Sequence, residues 1–155
     1  MITAEDIEHY IKRVPPLPQA LKETVRYLEE GDLVKAAKSA KEDKALSTYL
    51  KVLLNKPIYG FRNEISDVSQ IFGILGVSRS QQAIYNYMTT LLSPSKWIVF
   101  KLNRVIFYNL QADLSIHWQK ILTHLSIDDT NILSSISLLP ASIIVSEALF
   151  NQKKR

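Results

Sequence analysis

Apolar residues along this chain of 155 residues recur three and four positions apart, the spacing of one helical face, and not every second position as in a half-buried strand. Helix signals follow one another with short breaks. Thr3 can cap a first helix running to about Arg13, with Asp6 at the third helical position as its capping-box partner. Val14-Pro15-Pro16-Leu17-Pro18 ends it, because proline cannot continue a helix and disfavours helical geometry in the residue before it. A second helix starts near Pro18, its apolar positions Leu21, Val25 and Leu28 stepping by four and three, and Gly31 is placed to end it in a left-handed cap. Asp32 and Asp43 read as N-caps of helices over 33–41 and 44–55.

Asn55 to Glu64, NKPIYGFRNE, reads as an ordered loop with turn chemistry at Pro57 and Gly60. Ser66 opens a short helix ended by Gly76, and Ser78 with Gln81 forms a capping box for a helix to about Leu92. Ser93-Pro94-Ser95 predicts the start of a long helix through WIVFKLNRVIFYNL, followed by another over about 114–125. Asp128 and Asp129 put negative charge at the start of a helix over 129–138, and Pro140 suits the start of a last one. There is no internal repeat, low-complexity segment or linker, so the expectation is one compact all-α domain over 1–155.

Composition narrows the chemistry. The chain has no cysteine, which excludes disulfides, thiolate metal sites and a cysteine nucleophile, and fits a reducing, cytoplasmic setting. Its start, MITAEDIEHYIKR, is acidic and amphipathic and lacks the order of a signal peptide. The most apolar stretch, Ile132 to Leu149, is interrupted by five serines, Pro140 and Glu147, so a helix pair is expected there and membrane insertion is not. Residues 1–67 carry 11 basic and 11 acidic groups, and three of the surplus positive charges beyond them are the terminal Lys153, Lys154 and Arg155. A near-neutral body of this kind speaks against a dedicated nucleic-acid binder.

Three stretches then resemble the HD-related output domain (HDOD) of bacterial signalling proteins. Pro15-Pro16-Leu17-Pro18 before an amphipathic helix is similar to the family's PPLP entry. Glu42-Asp43-Lys44-Ala45-Leu46-Ser47-Thr48-Tyr49-Leu50-Lys51 resembles its QDPALTARLLR helix, with Lys44 in place of proline. Leu53 through Gly76 resembles the ANSAYYGLRRPISSVSQAIMLLG block. The resemblance covers about residues 14–92, and the helices over 94–150 are divergent and fewer than the family's. It implies kinship with metal-dependent HD phosphohydrolases, in which histidines and aspartates hold a divalent metal that activates water. A catalytic relative would read Leu-Leu-His-Asp where this chain has Leu138-Leu139-Pro140-Ala141, and its upstream metal histidine would fall at about Lys120. The resemblance therefore implies a degenerate site at Lys120, Pro140 and Ala141, with no metal, no cofactor and no catalytic residue.

The remaining candidate chemistry has a plain reading beside each functional one. His117 and His124 stand seven apart, about 10 Å by helix rise, too far to chelate one ion, so both read as partly exposed structural histidines. The serines at 134, 135, 137, 142 and 146 sit in no nucleophile elbow and suit helix contacts or caps. Lys35, Lys38, Lys41 and Lys44 form a basic stripe only if one helix spans them, and Asp43 is placed to interrupt it. Tyr59-Gly60-Phe61-Arg62 sets two aromatics and an arginine beside a glycine, residue types enriched in interface hot spots, with Arg62 the expected exposed member; the plain reading, which the resemblance favours, is that Tyr59 and Gly60 are architectural and pack the loop between helices. Three readings result: a non-catalytic signalling module that takes up a partner protein through a groove between its helices or relays a regulatory state, with Tyr59, Phe61 and Arg62 as candidate interaction residues; a residual HD-type phosphohydrolase acting on nucleotides; and a nucleic-acid-binding regulator using the lysine stripe and the basic tail. The oligomeric state is left open.

Overall fold

The structure is a computed structural model and describes residues 2–55, 61–127, 132, 136 and 139–152. Among these it is all-helical. Its seven helices are α1 (Ala4–Arg13), α2 (Gln19–Glu29), α3 (Leu33–Glu42), α4 (Lys44–Leu54), α5 (Val68–Leu92), α6 (Arg104–His124) and α7 (Ala141–Gln152). No helix among the described residues is long and apolar enough to cross a membrane. Tertiary contacts gather in two compact units, one over Leu17–Tyr87 and one made of Met1–Pro16 with Met88–Arg155. Residues 14–92 thus fall mainly in the first, and residues 94–150 in the second.

In the Leu17–Tyr87 unit, local signals set the helix ends as the sequence predicts. Gly31, at φ 77°, ends α2. Its N–H donates to the Leu28 carbonyl at 3.1 Å, and the Asp32 N–H donates to Tyr27 at 2.8 Å, the bond pair of a Schellman cap. Asp32 and Asp43 cap α3 and α4. Small residues let α2 and α3 pack closely: Ala36, Ala37 and Ala40 are fully buried, and the Ser39 hydroxyl donates to the Ala20 carbonyl at 2.9 Å. Leu21, Leu28, Leu46, Leu50, Leu54, Ile71 and Phe72 are buried with them, and the Tyr49 ring packs tilted at 46° against Tyr87 with centroids 4.9 Å apart.

One expectation in this unit is corrected. Asp67, not Ser66, precedes α5: its carboxylate accepts from the Ser69 N–H at 3.0 Å and its carbonyl accepts from Ile71. The predicted break at Gly76 is present, with φ 68° and ψ −179°, a backbone region open in practice only to glycine.

In the other unit, Thr3 and Asp6 form the expected reciprocal capping box of α1, and α1 packs on α7. Trp97, Phe107 and Ile144 make a buried cluster, flanked by Leu92, Leu102 and Ile143. The largest correction lies here. Residues 93–103 are not a helix; α6 begins at Arg104, capped by Asn103, whose side chain accepts from the Ile106 N–H at 2.8 Å. The helix expected separately over 114–125 is the second half of α6. The reason is long-range: successive N–H groups of Ile98, Val99 and Phe100 all donate to the buried carboxylate of Glu147, which a helix at 98–100 could not offer together. Lys101, at φ 53°, completes the departure from helical geometry. The helix expected over 129–138 lies outside the described residues apart from Ile132 and Ile136, both helical. Pro140 does precede the last helix, as expected.

Candidate interaction loop

The stretch joining α4 to α5 is closed at its base by one side chain. Asn55, the C-cap of α4, donates through Nδ2 to the Lys51 carbonyl at 2.8 Å and to the Ile65 carbonyl at 3.1 Å. Its Oδ1 accepts from the Ile65 N–H at 3.0 Å. A carboxamide has one acceptor and two donors, and here all are used, so Asn55 replaces a strand neighbour for Ile65. Ile65 and Val68 are buried beneath this clasp. Two residues on, Asp67 pairs with Lys41 of α3 at 2.8 Å. The Lys41 ammonium and the Ser69 N–H hold the Asp67 carboxyl below the usual carboxylate range. The return arm of the loop is therefore tied to α4 and to α3.

Phe61 and Arg62 lie on that return arm. Phe61 is 42% exposed, a high value for an aromatic ring, and Arg62 is exposed and in no ion pair among the described residues. Tyr59 and Gly60 lie outside the described residues. An exposed ring beside an unpaired guanidinium, on a loop with a fixed base, offers stacking, apolar contact and bidentate hydrogen bonding.

Lys120, Pro140 and Ala141, where the resemblance implies a degenerate site, are placed as follows. Lys120 is exposed on α6, Pro140 is buried, and Ala141 is the half-buried first residue of α7. No hydrogen bond or ion pair joins Lys120 to the other two among the described residues. His117 and His124 share the continuous α6 and are both exposed, and the His117 ring nitrogen Nδ1 lies 2.7 Å from the Asp113 carbonyl. Among the described residues no group of three or more histidine or carboxylate side chains is placed to hold a metal ion. The lysine stripe is split between α3 and α4 at Asp43, and two of its members are neutralised: Lys35 by Asp32 at 2.8 Å and Lys41 by Asp67. The Lys35 pairing draws the Asp32 carboxyl down and raises the Lys35 ammonium.

In the sequence Asn55 stands only where the 44–55 helix meets the following loop, and Glu147 only as a charge interrupting an apolar run. For Glu147 a signal existed: a lone carboxylate at a core position of an apolar helix must find hydrogen-bond donors. Compared with known proteins, the chain matches no family model, no curated protein and no solved structure.

Proposed function

We propose that this chain is a non-catalytic binding module of bacterial signal transduction, taking up a partner protein through the clasped loop that presents Phe61 and Arg62. The observation that supports the reading most is the Asn55–Ile65 clasp, which fixes the base of a loop whose exposed members are an aromatic ring and a free guanidinium. Ordering a flexible loop on binding costs affinity, and a base held in advance lowers that cost. The partner expected for such a surface carries a carboxylate for Arg62 and an apolar pocket or ring for Phe61.

The test is affinity capture from bacterial lysate with the wild-type chain, Phe61→Ala and Arg62→Glu in parallel. A protein retained by wild type and lost from both variants is the expected result. Proteins retained equally by all three overturn the loop as the docking site. Purified protein that carries stoichiometric divalent metal and turns over nucleotides would replace the reading with a phosphohydrolase. Binding to nucleic acid that weakens steeply with salt would replace it with a regulator of that kind.

A further inference from the structure

We infer that residues 98–106 form a membrane-surface anchor, which rests on the anionic face of a lipid bilayer without crossing it. Within this segment only Val99 and Leu102 are not exposed. Ile98, Phe100, Val105 and Ile106 are between 40% and 67% exposed. Large apolar side chains gathered outside the core in this way mark an interaction surface. The segment is closed at its base. Trp97 and Phe107, which bracket it, are buried with ring centroids 5.1 Å apart, and Leu102 packs against the same cluster.

Charge narrows the occupant. Lys96, Lys101 and Arg104 lie in or beside the segment, all exposed, and none is in an ion pair among the described residues. The chain has no acidic residue between Asp67 and Asp113. The carboxylate that touches the loop, that of Glu147, is buried and faces backbone N–H groups. Apolar and cationic side chains therefore share one surface segment. An anionic bilayer meets both, with acyl chains for the apolar groups and phosphates above them for the cations.

The backbone donors favour a bilayer over an acidic protein. The N–H groups of Ile98, Val99 and Phe100 donate to Glu147, and that of Ile106 donates to Asn103. At the depth of the acyl chains no water replaces a missing acceptor, and an unpaired donor is costly. Three of the four exposed apolar residues thus have their own N–H satisfied from within the protein. Entry to a bilayer needs this, whereas a protein interface can leave such groups to bridging water. A surface anchor of this kind requires no spanning helix, and none is present among the described residues.

Co-sedimentation of the full chain with vesicles tests this, using phosphatidylcholine alone and phosphatidylcholine mixed two to one with phosphatidylglycerol. The expected result is binding to the mixed vesicles only, weakening as salt is added. Each cation near an anionic surface is worth about fivefold, so Lys101→Glu with Arg104→Glu should weaken binding about thirtyfold or more. Glutamate suits the first turn of a helix, so that loss is not one of folding. Phe100→Ser should weaken binding about tenfold. Depth is read separately. The chain has no cysteine, so Ile98→Cys takes a single environment-sensitive dye. Its emission should shift to the blue on mixed vesicles. A dye at Leu125→Cys, exposed at the opposite end of α6 from Arg104, should not shift. A wild-type chain that ignores the mixed vesicles overturns the inference and leaves the surface to an acidic protein. Equal binding to both vesicles overturns it as well. So does binding that survives the loop variants, which would assign it to the terminal Lys153, Lys154 and Arg155. Binding without a shift at Ile98→Cys also overturns it, since charge alone would then hold the chain.

Discussion

The backbone N–H of Val99 lies between both carboxylate oxygens of Glu147, 2.9 Å from Oε1 and 3.1 Å from Oε2. The N–H of Ile98 donates to the first oxygen and that of Phe100 to the second, at 2.9 Å. Glu147 is 2% exposed, so one side chain of α7 supplies the hydrogen bonds that residues 98–100 do not find in a helix. Meanwhile the side chains of Ile98 and Phe100 point to solvent.

Removing that acceptor leaves three N–H groups without a partner. At about 1–3 kcal/mol for each unsatisfied buried donor, Glu147→Ala is expected to cost about 3 kcal/mol or more. Glu147→Gln is the sharper probe, because it preserves shape while replacing one acceptor oxygen with an NH2 group that faces donors. Its expected cost is about 2 kcal/mol in urea unfolding. A loss within about 0.5 kcal/mol, typical of an uninvolved surface position, would show that the carboxylate does not hold the loop.

Gly76 and Gly31 separate backbone strain from crowding. A Cβ added at either meets nothing within 4 Å, so the cost of alanine at both is conformational. Gly31 sits in the left-handed helical region, where alanine costs about 1–2 kcal/mol. Gly76 combines φ 68° with ψ −179°, a region essentially closed to other residues, where the cost reaches about 1–3 kcal/mol. Thermal unfolding should rank Gly76→Ala as the more damaging. Asparagine, which tolerates the left-handed helical region, should rescue position 31 and not position 76. Equal tolerance of asparagine at both would contradict this account.

These glycines, with Thr3, Asp6, Asp32 and Asp43, were legible in the sequence because each acts within a few residues of itself. Residues 93–103 were not. Pro94 followed by an apolar run looks like a helix start, and only Glu147, 47 to 49 residues further on, diverts the backbone. Asn55 shows the same limit at shorter range: the loop between it and Ile65 was visible, but the side chain that closes it was not. Exposure of Phe61 and Arg62 could be expected from their loop, and so could the split of the lysine stripe at Asp43, whereas the neutralisation of Lys41 needed its ion pair with Asp67, elements apart in the chain.

The clasp itself can be tested by amide exchange. Asn55→Ala removes both the acceptor for the Ile65 N–H and the donor to its carbonyl, so exchange at Ile65 should speed up by about tenfold or more, the equivalent of one lost hydrogen bond of about 1.5 kcal/mol. Asn55→Asp keeps the acceptor and loses both donors. It should leave Ile65 N–H protection closer to wild type while loosening the carbonyl side. If Ile65 exchanges at the wild-type rate in Asn55→Ala, the loop base is held by something else.

Tyr10, Tyr85 and Tyr87 should titrate late. Burial raises Tyr10 above the ordinary phenol value of 10.0. Burial also raises Tyr85 and Tyr87, helped at Tyr85 by the negative charge of Glu29 and at Tyr87 by that of Asp43. In each case the folded state favours the neutral phenol. The resulting contribution to stability is complete below the unfolded value near 10 and is lost as pH rises through the higher folded one. Stability should therefore decline on the alkaline side above about pH 10, as folded chains are forced to ionise phenols they hold neutral. Phenolate absorbance should show a late component that coincides with unfolding. Tyr87→Phe removes one late group, so the late amplitude should fall and the alkaline transition should move to higher pH. If Tyr10, Tyr85 and Tyr87 ionise near 10.0 while the helices remain intact, the burial of these three hydroxyls is refuted.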